Sequence, residues 1–188
     1  MKLNIKDYKN ANAYYENELE LYHLSKFIHH LIPCNRSIVI VCIGTDRSTG
    51  DSLGPLTGMM LSQKNLVNVI VYGTLSSPVH AVNLKDVMRK IYKSFDNPFV
   101  IGVDSCLGDK ANIGMIYADN EPINPGAALN KKLPIVGDIS LSGVVNAANY
   151  LESIVLQNTR LNLVMNMAKA ISECLTTALQ IQVVSKVF

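Results

Sequence analysis

Two aspartates, Asp51 and Asp104, have the residue type and the spacing that could activate a water molecule. Asp104 directly follows the apolar run 100–103, and Asp51 stands just before a predicted helix start. Two carboxyl groups in one crevice cannot both ionise cheaply, so one keeps a proton and the pair can hold and activate water. Taken singly, each has a plainer interpretation, Asp51 as a helix N-cap and Asp104 as a turn former after a strand.

The loop that leads to Asp51 contains further polar residues. Arg47, Ser48 and Thr49 could hold an anion ahead of a helix N-terminus or border a substrate groove, and Ser52 follows directly. The alternative is that these side chains only satisfy the backbone of their own loop. The loop has neither the GxGxxG pattern nor the Gly-Lys-Ser/Thr ending of a nucleotide-binding motif.

Three other polar residues are candidates to assist the aspartates. His80 follows the second predicted strand and could reach the same crevice as a third polar group or, with Asp51 and Asp104, as a metal ligand. Ser105 adjoins Asp104, and Asp138 ends or interrupts a late strand, where a simple turn is the alternative. No pattern typical of a serine nucleophile accompanies these residues.

The elements that must position these residues alternate between strand and helix. Apolar periodicity predicts five strands, at 38–43, 67–72, 99–103, 113–117 and 135–141. It predicts five helices, at about 16–32, 54–64, 78–95, 144–156 and 161–182. Strands that alternate with helices predict an α/β fold, a three-layer αβα sandwich with a mostly parallel central sheet. If the first three strands lie in the order 2-1-3, the crevice lies between the ends of strands one and three.

Composition limits the other functions. The 188 residues carry 17 Lys and Arg against 15 Asp and Glu, a balance that predicts no nucleic-acid partner. The apolar runs are too short for a membrane span, and the polar start predicts a cytoplasmic protein. Four cysteines without CxxC spacing predict neither a zinc site nor a disulfide framework. We expect a loosely ordered arm at 1–15 and a single domain at 16–188.

Several motifs in order resemble those of the YyaC-type sporulation proteins of endospore-forming bacteria. They are residues 43–55 (IGTDRSTGDSLGP), 72–81 (YGTLSSPVHA), 103–108 (VDSCLG), 137–140 (GDIS) and 157–161 (QNTRL). That family is similar to the germination protease of spores and, more distantly, to hydrogenase maturation peptidases. The resemblance implies a phosphorylase/hydrolase-like sandwich and places the two functional aspartates of the germination protease at Asp51 and Asp104. Hydrogenase maturation peptidases carry a metal-binding glutamate where this chain has Ser52, which argues against a nickel-reading role.

Three functions follow as hypotheses. The first is a sporulation-associated peptidase of the mother cell or forespore that uses Asp51 and Asp104, without a cofactor, on a peptide or a small spore protein. The second is a non-catalytic binding or assembly protein that keeps the peptidase fold. The third is a metal-dependent hydrolase with Asp51, Asp104 and His80 as ligands. A homo-oligomer is compatible with each of them.

Overall fold

A computed structural model of the chain describes residues 9–125, 133–148 and 150–184. In these ranges six strands form one sheet: β1 (Asn10–Tyr14), β2 (Ile38–Cys42), β3 (Val69–Tyr72), β4 (Phe99–Gly108), β5 (Met115–Asp119) and β6 (Ile139–Ala147). The helices of the same ranges are α1 (Glu18–Leu31), α2 (Leu53–Ser62), α3 (Leu84–Ser94), α4 (Glu152–Gln157) and α5 (Leu161–Val184). None of the described helices is both long enough and apolar enough to cross a membrane.

The sheet is mixed but mostly parallel. Its order is β1-β5-β6-β4-β2-β3, and the neighbours among β3, β2, β4 and β6 are parallel. Only β5 runs the other way, antiparallel to both β1 and β6. The α/β class and the 2-1-3 order of the first three predicted strands are confirmed, because β3 and β4 lie on opposite sides of β2. The strand order therefore reverses between β2 and β4.

Helices cover both faces of the sheet because the central strand β2 is apolar on both sides. Ile38, Ile40 and Cys42 pack in the cluster that contains α1, α2 and α5. Val39 and Val41 pack in the cluster that contains α3. All five residues of β2 are buried, and each large aliphatic side chain stabilises the fold by about 1.5–3 kcal/mol relative to an exposed one.

The expected loose arm is wrong for residues 10–14, which form the edge strand β1. β1 pairs with β5, from Asn10 opposite Asp119 to Tyr14 opposite Met115. Ala13 is fully buried, and the backbone N–H of Tyr14 donates to Glu20 of α1 at 2.7 Å. A short segment rich in asparagine gives little local signal for a strand, and its pairing partner lies about a hundred residues further on. Residues 1–8 of the expected arm lie outside the described residues.

Two helix predictions also need correction. The helix expected from Pro78 begins only at Leu84, because Val79 forms a bridge with Ile43 and residues 81–83 form a turn. Asn83 closes this segment, since its side chain donates to Pro78 O and accepts from the N–H of His80. The helix expected over 144–156 is wrong in its first part, since β6 continues to Ala147 beside β4. The β-branched pair Val144 and Val145 gains more from burial in the sheet than from a helical turn.

Candidate active site

A cleft of about 580 Å³ opens where the order of the strands reverses. Its lining comes from the loop after β2, the turn before α3, and the middle of β4, and it contains both Asp51 and Asp104. Apolar side chains of Pro78, Val82 and Leu133 line the remainder. Open α/β sheets bind ligands at this topological position. The sequence prediction that the two aspartates share one crevice thus agrees with the lining of this cleft.

Asp51 lies in a 3-10 turn, Gly50–Ser52, that leads directly into α2. This turn packs closely on the end of β2: a Cβ at Gly44 would come within 1.9 Å of the carbonyl oxygen of Asp51. Thr45 N–H donates to the same oxygen at 3.2 Å. The N-cap position of α2 belongs to Ser52 rather than to Asp51. Close contact between loop and strand therefore holds the backbone of Asp51 at the cleft.

Gly54 allows the helix behind Asp51 to approach the sheet. A Cβ at Gly54 would lie 2.0 Å from the carbonyl oxygen of Ile43, and one at Gly58 would lie 2.0 Å from that of Gly73. Because real Cβ atoms do not approach backbone that closely, a side chain at either position would push α2 away from the sheet. Both glycines are buried, so the start of α2 keeps Asp51 near the end of β2.

Asp104 lies within β4 rather than at its tip, which corrects the expected position. β4 pairs with β2 only as far as Val103, opposite Cys42, and then continues beside β6 to Gly108. Asp104 is therefore the first residue of β4 beyond its partner β2. Its side chain is on the sheet face of Val100, the face covered by α3, because side chains alternate along a strand. Because β2 ends before this level, Asp104 has no β2 residue paired with it and lines the cleft.

The pKa of Asp104 is raised well above its ordinary value of 3.8. Burial is the main cause, because it disfavours the charged form, and the negative charge of Asp51 adds to the shift. The backbone N–H of Ser105 donates to Asp104 Oδ1 at 2.8 Å and opposes the shift. Asp104 therefore holds a proton at a pH where an exposed aspartate is ionised, as expected for a carboxyl pair.

His80 lines the same cleft, a position that the sequence left open. Its Nδ1 accepts the backbone N–H of Val82 at 3.3 Å, so the neutral ring carries its proton on Nε2. Asn83, which the sequence reasoning missed, shapes the turn through its bonds to His80 N and Pro78 O, at 2.8 and 2.9 Å. An asparagine directly before an amphipathic helix is the local signal that could have found it.

The other predicted polar residues divide into two groups. Arg47 is exposed and lines the cleft. Thr45 and Asp46, which the sequence reasoning had not selected, also line it. Ser48, Thr49, Ser52 and Ser105 are not among the lining residues. Ser52 is buried, and its hydroxyl donates to the carbonyl oxygen of Thr49 at 2.6 Å. For Ser52, the alternative that a loop side chain serves its own backbone describes what is seen.

Asp138 lies at the opposite end of the sheet, so the possibility that it assists at the site is wrong, and the preferred interpretation as a turn residue outside the site is closer. It directly precedes β6, and its Oδ2 accepts the N–H of Val100, near the start of β4, at 2.8 Å. Arg36 donates to both carboxylate oxygens at 3.1 and 3.2 Å and also to the carbonyl oxygens of Asn97 and Pro98. The carboxylate joins three chain segments and has an architectural role.

The expected metal triad does not form. Among the residues that the structure describes, no group of three or more His, Cys, Asp and Glu side chains is arranged to hold a metal ion. Asp51, Asp104 and His80 line one cleft, yet they do not meet as a ligand set, and Nδ1 of His80 already accepts a backbone N–H. The described residues therefore do not present the ligand group that this hypothesis requires.

Comparisons with known proteins agree with the fold. The chain is similar to the uncharacterized protein YyaC of Bacillus subtilis (strain 168), with 57% identity over 141 residues, which are 75% of this chain and 69% of YyaC. The fold is also similar to that of the [NiFe] hydrogenase maturation protease HycI from Thermococcus kodakarensis KOD1, with a TM-score of 0.50 and 14% identity over 79% of this chain and 98% of HycI. The predicted resemblance to YyaC-type proteins and the predicted fold are confirmed.

The family of the chain follows from its sequence over most of its length. Residues 12–174 match the model of a family described as a protein of unknown function, DUF1256. The match includes the loop of Asp51, the strand of Asp104 and the turn of His80. This chain belongs to the DUF1256 family.

Proposed function

We propose that this chain is a peptidase in which Asp51 and Asp104 activate a water molecule to hydrolyse a peptide bond. The observation that carries the proposal is the raised pKa of Asp104 in a cleft shared with Asp51. A carboxyl pair with one proton can act as acid and base in the same step. A fold similar to that of a hydrogenase maturation protease supports the proposal at the level of architecture alone.

The mechanism assigns one role to each carboxyl group. Asp51 takes a proton from water while the water oxygen attacks the peptide carbonyl carbon, and protonated Asp104 gives its proton to the carbonyl oxygen. The resulting gem-diol collapses: the C–N bond breaks, Asp51 returns its proton to the leaving nitrogen, and Asp104 recovers a proton from a diol hydroxyl. The pair ends as it began, and no other reactant is consumed.

His80 and Arg47 are proposed to bind the substrate beside the pair. Nε2–H of His80 can donate to a peptide carbonyl, since Nδ1 is already engaged. Arg47 is exposed at the cleft and can bind a carboxylate or carbonyl group of the peptide. The motif resemblance suggests a small spore protein as the substrate and the cytoplasm of the mother cell or forespore as the compartment.

The test compares three aspartate-to-asparagine variants. The full chain is incubated with a library of unstructured peptides and with small spore proteins, and new termini are identified by mass spectrometry. Asp51→Asn and Asp104→Asn should each lower cleavage by at least about 100-fold, the contribution of a positioned acid or base. Asp119→Asn is the matched control, because burial also raises the pKa of Asp119, which lies in β5 and outside the cleft. Cleavage at the wild-type rate by both cleft variants would eliminate the mechanism.

A non-catalytic binding protein is the second candidate, and an exposed apolar surface favours it. Four large apolar residues are each about half exposed or more. They are Tyr150, Leu151 and Ile154, around the start of α4, and Leu161, at the start of α5. The test measures whether the chain forms a stoichiometric complex with a partner. The complex should form with the double variant Asp51→Asn/Asp104→Asn and should be lost with the double variant Leu151→Ser/Ile154→Ser. Loss of the complex in the aspartate variants instead would reject this candidate.

A further inference from the structure

A polar network lies behind the turn that carries Asp51. Nδ2 of Asn146, near the end of β6, donates to Thr159 Oγ1 at 3.2 Å and to the carbonyl oxygen of Val155 at 3.3 Å. The hydroxyl of Thr159 in turn donates to the same Val155 oxygen at 2.9 Å. Thr159 is buried, so these bonds are partly shielded from water. We call these two side chains the Asn146–Thr159 network; it joins the end of a central strand to α4.

The network supports the 3-10 turn through Gly50. A Cβ at Gly50 would lie 2.8 Å from Leu156 Cδ2, 3.0 Å from Thr159 Oγ1 and 3.1 Å from Val145 Cγ2. Gly50 is buried, and its backbone therefore packs directly on α4 and on the network. Asp51 is the next residue, so a displacement of α4 would move the backbone of Asp51.

α4 has few other means of holding its position. None of its six residues, Glu152–Gln157, is buried, and Leu156 is only partly buried against the main core. A helix this short is not stable without tertiary contacts. The hydrogen bonds to Val155 and Thr159 therefore supply much of what keeps α4 against Gly50.

We propose that Asn146 and Thr159 are positioning residues, which hold α4 against Gly50 and so set the separation of the Asp51 and Asp104 carboxyl groups. The consequence for catalysis depends on the proposed peptidase function, but the consequence for the geometry of the pair does not. The network contributes no group to the cleft lining, so it acts through Asp51 rather than on a substrate.

The experiment removes one hydroxyl and keeps the shape of the side chain. Thr159→Val abolishes the bonds of Oγ1, while Thr159→Ser retains a hydroxyl at that position. Thr176→Val is the matched control, since Thr176 in α5 makes the same type of bond, to the carbonyl oxygen of Ser172 four residues earlier, at 2.7 Å. Gly50→Ala is a second, independent probe, because the added methyl group must displace α4 or the turn.

The first measurement is the pKa of the Asp104 carboxyl group, followed by carbon NMR in the full chain, with Asp51→Asn as the reference for loss of the neighbouring charge. We expect the pKa to fall in Thr159→Val and in Gly50→Ala, because a displaced Asp51 interacts more weakly and admits water. Thr159→Ser and Thr176→Val should keep the wild-type value. The second measurement is peptide cleavage, in which kcat should fall about tenfold with KM unchanged in Thr159→Val.

The outcomes separate the two proposals. If the pKa of Asp104 is the same in Thr159→Val, Gly50→Ala and the wild type while Asp51→Asn lowers it, the positioning role is wrong and the pair stands. If the pKa responds as expected but no peptide is cleaved by any form, the positioning role stands and the peptidase proposal fails. Urea unfolding of each variant verifies that the comparison is made on folded protein.

Discussion

Asp104 and Asp138 lie at neighbouring parallel strands, but their surroundings differ. Asp104 lies in the second half of β4, and Asp138 directly precedes β6. Asp138 faces the start of β4 and accepts hydrogen bonds from Val100 N–H and Arg36. Asp104, further along β4, accepts the N–H of Ser105 and faces the negative charge of Asp51. One carboxylate is paired with a cation, and the other is partly buried near a like charge.

The difference shows that the groups around a carboxyl group, rather than its residue type, decide whether it is tied into the fold or keeps a proton. A guanidinium and a backbone N–H donate hydrogen bonds to the carboxylate of Asp138 and tie it to one geometry. Burial and a second carboxylate destabilise the charged form of Asp104, so it keeps a proton that it can give away. The same sheet thus holds a structural aspartate at the amino-terminal ends of its parallel strands and a candidate proton donor at the cleft.

The largest expected effect is on activity, and it separates the two aspartates by function. Asp104→Asn should lower kcat/KM for peptide cleavage by about 10²–10⁴-fold, because asparagine cannot transfer the proton. Asp138→Asn should change kcat/KM per folded molecule by less than about threefold, because Asp138 does not line the cleft. Steady-state kinetics on the two variants measures both numbers. Equal losses in both variants would contradict the division between the two sites.

The second effect is on stability, and here the loss is expected at Asp138. Asp138→Ala should lower the free energy of unfolding by about 2–3 kcal/mol, because the N–H of Val100 and the guanidinium of Arg36 both lose a charged acceptor. Urea denaturation measures it. The control is Asp86→Ala, which breaks an exposed pair with Arg89 at 3.4 Å and should cost less than about 0.5 kcal/mol. A loss at Asp138 no larger than at Asp86 would reject the architectural role.

The third effect is the pH dependence of stability that Asp104 causes. Its pKa is higher in the folded chain than in the unfolded one, so between the ordinary value of 3.8 and the raised value the folded state binds more protons. Stability must then decrease as pH rises through that window, by at most about 1.4 kcal/mol per pH unit. Relative to the wild type, Asp104→Asn should therefore gain stability from pH 3.8 upward, until the raised pKa is passed. Urea midpoints over a pH series test this, and a difference that does not change with pH would oppose it.

The smallest effect uses Cys106 as a reporter of the charge at Asp104. Burial, together with the charge of Asp104, raises the pKa of the Cys106 thiol to about 11. At a pH above the raised pKa of Asp104, where its carboxylate is charged, Asp104→Asn should lower the pKa of Cys106 slightly and speed its alkylation by a few-fold, since the thiolate is the reactive form. Cys174 in α5 is the internal control, because burial alone raises its pKa to about 12. Peptide mapping by mass spectrometry separates the two cysteines, and equal acceleration at both would indicate general loosening instead.

Local patterns were sufficient for the central part of the fold and for the aspartate pair. Short stretches of sequence predicted their own secondary structure in three places. These are the β-branched run of β2, the amphipathic stripe of α3 and the apolar run before Asp104. Alternation of strand and helix then limits the topology, because parallel crossovers follow one hand. These rules placed Asp51 and Asp104 near one reversal of strand order without knowledge of a single contact.

Long-range contacts decided what those patterns missed. β1 exists because its backbone pairs with β5, and β6 runs on to Ala147 because β4 lies beside it, neither of which the local composition indicates. The sequence alone predicts Asp138 as a turn residue, because its partner Arg36 lies 102 positions away in the chain.

For this protein, then, the amino-acid sequence by itself determined the α/β class, the central strands and the two aspartates of the cleft, because periodicity and the order of elements are properties of the chain. Only the tertiary structure decided which carboxyl group keeps a proton, which one is paired with arginine, and that α4 supports the turn of Asp51. Charge state and position depend on the groups that folding brings near, and those groups are distant in sequence.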